Sequence, residues 1–311
     1  MKSVDVSIII VSFNTRDLTT ECIQSLIRTI KKNSYEIIVV DNNSEDDSVE
    51  EIQKLKVKSQ NLKSKFKIIE NKENVGFSAA NNIGVKEADG KYVLFLNSDT
   101  VVYDNTIDGM VEFMEENKDA GAATCFVRLP NGMLDDAAHR GFPTPIRAIA
   151  HFAGLSKIFS FEPFSGYNLK HLNLGQAHEI DALAGAFMLV RREAGEEVAL
   201  PAGRQGWWDE DFFWYGDDLD FCYRLKEKGW RIYFVPQFEI LHYKGASGGI
   251  KKQSKHISTA NDETRKRAHE ARFAAMRIFY DKHYKNKYPR MVRAIVLSGI
   301  NIKKFLSGIK I

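Results

Sequence analysis

Residues Val4–Val11 read Val-Asp-Val-Ser-Ile-Ile-Ile-Val, with β-branched side chains on consecutive positions rather than alternate ones. A strand with one wet face alternates. A run that is apolar on both faces belongs inside a parallel sheet covered by helices on either side. Runs of this kind recur at Tyr35–Val40, Phe66–Ile69 and Lys91–Leu96. Helical stretches separate them. Leu18 to Ile30 has Asp17 as a candidate cap, Ser48 to Lys56 follows, and Ser78 to Ala88 has Ser78 as a candidate cap and Gly90 as a stop. Strand and helix thus alternate four times over Val4–Thr100. The fold class is α/β: a doubly wound, mostly parallel central sheet with flanking helices and right-handed crossovers.

Downstream the pattern loosens. A helix is predicted over Asn105–Asn117 and a strand over Gly121–Val127. Residues 130–178 hold four of the seven prolines and show little periodicity, as expected of an irregular excursion that carries function. Ile180–Val190 is apolar around Gly185, Gly203–Gly206 reads as a turn or insert, and Leu219–Lys228 as a helix stopped by Gly229. A strand over Trp230–Pro236 precedes Glu239–Tyr243, which carries His242; a basic helix is predicted from about Thr259 to Tyr284. In Met291–Ile311, Val292, Ile295, Val296, Ile302, Phe305, Leu306 and Ile309 recur near helical spacing among basic residues. Such a segment either packs on the main domain or lies on a membrane surface, and Gly299 argues against one continuous helix.

Net charge is +3, but residues 251–311 hold 16 basic and 4 acidic side chains, leaving the preceding 250 residues at −9. A basic tail on an acidic body points to an anionic surface. Its lack of a nucleic-acid motif gives no support for a nucleic-acid partner. Three scattered cysteines (Cys22, Cys125, Cys222) show no metal spacing and are expected as buried thiols in a reducing compartment. No signal peptide is expected, and no apolar run reaches the ~20 residues that span a bilayer. Redox-dinucleotide, P-loop, nucleophile-elbow and zinc patterns are all missing from the sequence.

The densest chemistry lies at Phe212–Asp220, Phe-Phe-Trp-Tyr-Gly-Asp-Asp-Leu-Asp. Asp217, Asp218 and Asp220 repel one another unless a cation is near or one of them keeps a proton. Trp214 and Tyr215 offer flat apolar faces to a sugar ring. A catalytic base presented to an acceptor hydroxyl fits this stretch; so does a loop feeding an acidic helix start. Asp41 and Asn43 end the second strand, where a carboxylate can accept from a base N–H, although Asp-Asn-Asn-Ser is equally a turn sequence. Asn97-Ser98-Asp99 ends the fourth strand, where Asp99 can hold a divalent cation. One aspartate is a thin site, and His242, ahead of the basic, glycine-rich residues 243–249, is the best second ligand in the sequence.

In order along residues 4–249, the stretches Val6-Ser-Ile-Ile-Ile-Val-Ser-Phe-Asn14, Val39-Val-Asp-Asn-Asn-Ser44, Asn71-Lys-Glu-Asn-Val-Gly-Phe77, Ala80-Asn-Asn-Ile-Gly84, Leu94-Phe-Leu-Asn-Ser-Asp-Thr100, Gly185-Ala-Phe-Met-Leu-Val-Arg191, Phe212–Asp220 and His242 resemble a family-2 glycosyltransferase of GT-A fold, in its bacterial rhamnosyltransferase-like branch. The resemblance implies a nucleotide-binding half over 1–100, an acceptor and catalytic half over 101–250, and a basic helical extension over 251–311. It implies contacts to a UDP- or dTDP-sugar from Ser12, Asn14, Asp41, Asn43, Gly76 and Asn97. Trp214, Tyr215 and Asp220 would meet the acceptor. Asp99 and His242 would hold Mg²⁺ or Mn²⁺, and Asp218 would be the base with Asp217 as the lesser candidate. Asn97 replaces the first aspartate of the family's metal motif, and Pro201–Trp208 departs from the family as an altered loop.

The implied reaction is a metal-dependent, inverting transfer of a rhamnose-like or other hexose to a glycan or lipid-linked acceptor in cell-surface polysaccharide synthesis. It would take place at the cytoplasmic face of the membrane. Two other classes fit parts of the sequence. A non-catalytic sugar-binding module would not hydrolyse donor, and a sugar nucleotidyltransferase would release pyrophosphate instead of nucleoside diphosphate.

Overall fold

A computed structural model describes residues 4–58, 66–152, 166–201, 206–245 and 260–308. Four strands of its nine-stranded sheet run parallel in the order β3 (Phe66–Glu70), β2 (Tyr35–Asp41), β1 (Val6–Ser12), β4 (Tyr92–Asn97). Ile8, Ile9 and Ile10 of β1 are all fully buried, which is what consecutive β-branched residues require. Ile8 and Ile10 pack with Cys22, Ile23 and Leu26 of helix α1 (Arg16–Thr29). Ile9 faces the other layer, with Ala80 of α3 (Phe77–Lys86), Trp208 and Phe221. Helix α2 (Ser48–Lys58) completes the first layer through Ile52.

Neither expected helix cap operates. Thr15 precedes α1, and Asp17 lies within its first turn, paired with Arg16. Gly76 precedes α3 at φ 88°, and the Ser78 hydroxyl donates to the Phe212 carbonyl at 2.8 Å. A short polar side chain caps a helix only when no nearer partner competes for it.

Beyond β4 the sheet becomes mixed. The short β5 (Thr100–Val102) and helix α4 (Thr106–Glu116) lead to β6 (Ala120–Arg128). The excursion over 130–178 includes a 3₁₀ turn at Asp136–Ala138 and helix α5 (Pro145–Phe152), and returns as β7 (His178–Ile180). Then come β8 (Phe187–Arg191), α6 (Arg192–Glu197), α7 (Asp217–Glu227) and β9 (Arg231–His242). β8 lies antiparallel beside β4, followed by β6, β9 and β5, with β7 also paired to β9. The two pieces expected at 230–243 are one strand, interrupted by a bulge. Cys125 pairs with Val235 but Phe126 with Glu239, so Pro236, Gln237 and Phe238 loop out. Proline is tolerated in a strand at such a site. Phe238 fills the space over Gly109 of α4, where a Cβ would come within 2.2 Å of its ring.

The loop before α7 is anchored in the core. Trp208 is fully buried and stacks on Phe221 at 5.2 Å, and Asn82 brackets it, accepting from its N–H and donating to its carbonyl at 2.9 Å each. Of the Pro201–Trp208 stretch, residues 202–205 lie outside those described.

Helix α8 (Asp262–Phe279), a π-helical turn at Tyr280–Tyr284 and α9 (Arg290–Gly308) form the C-terminal pair. They dock on the main body through a third apolar cluster of Phe212, Tyr223, Ala275, Phe279, Tyr280 and Tyr284. Lys282 pairs with Asp209 and Asp211, and His283 with Asp220 at 2.8 Å. Within Met291–Ile311, Val296 packs against that cluster and Ile300 is buried, while Met291, Ile295, Ile302, Phe305 and Leu306 stay exposed, so the described part packs on the body along one side only. α9 runs unbroken through Gly299, at the cost of about 1 kcal/mol relative to alanine; Ile309 lies outside the described residues.

Candidate active site

In an open α/β sheet a ligand crevice forms where successive crossovers leave in opposite directions. Here β1 leads to β2 and β3 on one side while β4 returns to its other side, so that point lies between the C-terminal ends of β1 and β4. A cleft of about 590 Å³ opens there, lined by Val11 and Phe13 after β1 and by Asn97, Ser98 and Asp99 after β4. Asp217, Asp218, Trp214, Tyr215 and His242 line the same cleft. The acidic stretch and the strand tips, more than a hundred residues apart in sequence, therefore face one space.

Asp99 and His242 are brought together by the short β5–β9 ladder, in which Thr100 pairs with His242 and the Tyr243 N–H donates to the Asp99 carbonyl at 2.9 Å. His242 Nε2 lies 3.2 Å from Asp99 Oδ1, and Nδ1 lies 3.1 Å from Asp135 Oδ2. Burial works against the imidazolium, but the two carboxylates outweigh it and hold its pKa up at about 9. Asp135 also pairs with Lys244, and these partners push its carboxyl far below the ordinary range despite burial. Its own position is fixed because it caps the 3₁₀ turn, accepting from Ala137 N–H at 2.9 Å.

This donor set would fit a small divalent cation once the cation displaces the Nε2 proton of His242. Asp135 braces the imidazole through Nδ1, the usual partner of a metal-binding histidine. The separation of Asp99 Oδ1 and His242 Nε2 matches two adjacent ligands at about 2.0–2.1 Å from one ion. Among the described residues no three His, Cys, Asp or Glu side chains are grouped to hold an ion alone. Water or substrate oxygens would have to complete the shell.

The acidic stretch turns on Gly216, at φ 83°, which delivers Asp217, Asp218 and Asp220 to the first turn of α7. A helix N-terminus favours carboxylates, but the three differ in surroundings. Burial, then the charge of Asp218, push the Asp217 carboxyl up to about 8, well above the ordinary carboxylate range. The Asp218 side chain keeps 17% exposure and pairs with Arg140 at 2.5 Å. Arg140 is set by the excursion: its backbone exchanges two hydrogen bonds with Ala182, and its guanidinium also donates to the Leu183 carbonyl at 3.2 Å. Asp220 is not among the cleft-lining residues. It is 1% exposed and holds Arg224 and His283, both at 2.8 Å, which makes it a tie between α7 and the C-terminal pair.

The nucleotide candidates divide the same way. Gly76 and Asn97 line the cleft, whereas Ser12, Asn14, Asp41 and Asn43 lie just behind it and are not among its lining residues. Ser12 bonds Thr19, Asn14 bonds the Ser44 hydroxyl and the Glu45 N–H, and Asn43 takes a left-handed turn at φ 66°. Asp41 accepts from the Ser44 N–H and hydroxyl at 2.8 and 2.6 Å. Asn42 lines the cleft instead, and its amide ties the Asn71–Gly76 loop in place. Sequence reasoning missed Asn42, Asp135 and Arg140. All three are polar residues beside a candidate, but none carries a periodicity that says which way it points.

Comparison with known proteins bears on what this cleft does. The family model described as Glycosyl transferase family 2 matches residues 7–198, and that described as Glycosyl transferase family group 2 matches 159–279. The chain is 29% identical over 176 residues to Rhamnosyltransferase WbbL of Escherichia coli (strain K12), covering 54% of this chain and 61% of that protein. It is 29% identical over 174 residues to N-acetylglucosaminyl-diphospho-decaprenol L-rhamnosyltransferase of Mycobacterium tuberculosis (strain ATCC 25618 / H37Rv), covering 56% of this chain and 53% of that protein. The chain thus spans somewhat over half the length of these two curated relatives. Among solved structures, S. aureus TarS 1-349 superposes with a TM-score of 0.55 at 15% identity, over 97% of this chain and 72% of that one. GalNAc-T7 with UDP, GalNAc and Mn2+ gives 0.56 at 16%, over 91% and 58%. At those identities the likeness is one of fold.

Proposed function

This chain belongs to glycosyl transferase family 2 and has the GT-A fold, and from that premise we propose that it transfers a sugar from a UDP- or dTDP-linked donor to an acceptor hydroxyl, with inversion, during cell-surface polysaccharide synthesis. The single observation that carries the reading is the convergence of Asp218 with the Asp99–His242 pair on one cleft at the tips of β1 and β4. Relatives that act as rhamnosyltransferases support a rhamnose-like donor.

The donor's diphosphate lies against Asn97, Asp99, His242 and Lys244, and its base lies toward Phe13, Asn42 and the β2 tip. Asp41 reaches the base only if it exchanges its Ser44 hydrogen bonds for a base N–H. Asn14 and Asn43 shape the turns that bound this pocket. A divalent cation held by Asp99 and His242 would neutralise charge on the departing diphosphate.

Asp218 accepts the proton of the acceptor hydroxyl. The freed oxygen forms its bond to the anomeric carbon on the face opposite the diphosphate, and the carbon–oxygen bond to the diphosphate breaks with its electron pair leaving on the nucleotide. Asp217, holding its own proton, adds no second negative charge beside the base. Trp214 and Tyr215, stacked with rings 15° from parallel, present a flat wall to the acceptor sugar.

Asp218→Asn tests the assignment. Loss of a general base lowers turnover by about 10²–10⁴-fold, while donor affinity stays as in the parent. Normal turnover would remove Asp218 from the mechanism. The donor is found by screening UDP-, dTDP- and GDP-sugars with mass detection of the product.

A further inference from the structure

The acidic stretch is gripped from two sides. On the donor side the start of α3 holds its backbone: the Phe77 N–H donates to the Phe213 carbonyl at 3.0 Å, and the Ser78 hydroxyl to the Phe212 carbonyl at 2.8 Å. On the other side lies the C-terminal pair. The Arg267 guanidinium of α8 stands 4.1 Å over the Phe213 ring, and a Cβ on Gly216 would lie 3.1 Å from that of Ala275. The π-helical turn adds charged links. It is closed by the Lys285 N–H, which donates to the Tyr280 carbonyl at 2.9 Å.

Three consecutive residues of that turn reach three different places. Asp281 pairs with Arg293 of α9 at 2.8 Å. Lys282 pairs with Asp209 and, at 2.7 Å, with Asp211, just ahead of the acidic stretch. His283 Nε2 donates to Asp220 Oδ1 at 2.8 Å, at the end of it. Asp209 and Asp220 are both buried. Burial works against the Asp220 carboxylate, but the bonds from His283 and Arg224 outweigh it and hold its pKa below the usual range.

Adhesion does not need these links. The apolar cluster of Phe212, Tyr223, Phe279, Tyr280 and Tyr284 already joins the pair to the body. A buried ion pair adds little net stability over apolar contacts of the same shape; what it adds here is one defined alignment. Between the two anchored ends lie Trp214, Tyr215, Asp217 and Asp218, which are the acceptor wall and the base. Single π-helical turns are rare within helices and gather at functional sites. This one lies beyond the residues matched by either family model, which end at 198 and 279.

Resting on the glycosyl-transfer reading, we propose that Lys282 and His283 are positioning residues for the reaction: by fixing both ends of the 209–220 segment they set where the Asp218 carboxylate meets the acceptor hydroxyl. Neither lines the cleft, so neither touches substrate. Their loss acts on turnover and leaves the donor site at the tips of β1 and β4 as it was.

The test uses the full chain and two independent measurements. Amide hydrogen exchange, which needs no substrate, follows peptides covering 209–220. Lys282→Met and His283→Leu each remove a charge-assisted bond, so exchange there should speed up about tenfold or more, while peptides of β1 and β4 exchange as in the parent. UDP and dTDP affinities should not change, which shows that each variant is folded. Turnover should fall about 10–100-fold with the KM for donor unchanged. His283→Gln returns an N–H to the place of Nε2 and should restore most of that loss. A merely structural tie would instead lower the denaturant midpoint and leave kcat alone. Unchanged exchange over 209–220 in both variants overturns the proposal, and so does faster exchange with normal turnover. If the parent transfers sugar from no UDP-, dTDP- or GDP-linked donor, the glycosyl-transfer reading is what fails, and the exchange data still decide whether the turn holds the segment.

Discussion

Two adjacent aspartates at the start of α7 are given different chemistry by their surroundings. Both line the cleft, but Asp217 is almost fully buried and its pKa is pushed up to about 8, whereas Asp218 keeps some exposure and is held by Arg140. A carboxyl whose folded pKa exceeds its unfolded value favours the folded state most below the unfolded pKa, and that advantage is lost as pH rises through the folded pKa. The parent should therefore lose stability between about pH 4 and pH 8 relative to Asp217→Asn, which mimics the neutral acid. Urea unfolding at both ends of the window reads the difference, and parallel pH profiles for the two proteins would show that Asp217 is charged after all. At this scale the sequence was legible where a residue sat in a motif at a strand end or in a run of adjacent carboxylates. Asp99, His242, Asp217 and Asp218 stood out that way, and all four line the cleft. Asp135 and Arg140 did not, because an aperiodic excursion carries no signal for which side chains turn inward. Asn42 rather than Asp41 faces the cleft for a similar reason: consecutive turn residues point in directions set by backbone torsions that composition does not encode.

Among the elements, the four parallel strands and their helices were readable because burial on both faces leaves an unmistakable apolar run. Cap residues and the β9 bulge were not, since they depend on partners far away in sequence. Gly76 shows the dependence. It starts α3 at φ 88°, and an added Cβ would lie 2.8 Å from both the ring and the carbonyl of Phe213. The same carbonyl accepts from the Phe77 N–H at 3.0 Å, so the glycine is where the donor half touches the acidic loop. Gly76→Ala should cost about 1–3 kcal/mol for a positive-φ, extended backbone that essentially only glycine adopts (φ 88°, ψ 170°), read by denaturant midpoint. It should also raise the KM for donor, because Phe213 must move. An unchanged midpoint would mean that the loop yields freely. The C-terminal helices were visible in the sequence as amphipathic segments, but their seat on α7 was not, because it is made by ion pairs such as His283–Asp220 and by aromatic rings of the third cluster.

Over the whole molecule, the contrast between acidic body and basic tail is partly consumed internally. Lys282 and Lys287 meet Asp209, Asp211 and Glu227. What remains, together with the exposed apolar face of α9, is the ground for predicting a peripheral contact with an anionic bilayer; no helix among the described residues is long and apolar enough to cross one. Co-sedimentation with anionic vesicles should be strong at low ionic strength and fall steeply toward 1 M salt, where the screening length shrinks to about 3 Å. Binding that ignores salt would assign the contact to the apolar face alone. Finally, the three residues looped out of β9 reverse which side of the sheet its far end presents. In a continuous strand Glu239 would arrive where His242 now stands, placing a third carboxylate beside Asp99 and Asp135 with no imidazolium between them. That alternative zippering is penalised by the very charges that make the site useful. Correct alignment of β9 and assembly of the Asp99–His242–Asp135 corner are thus a single event.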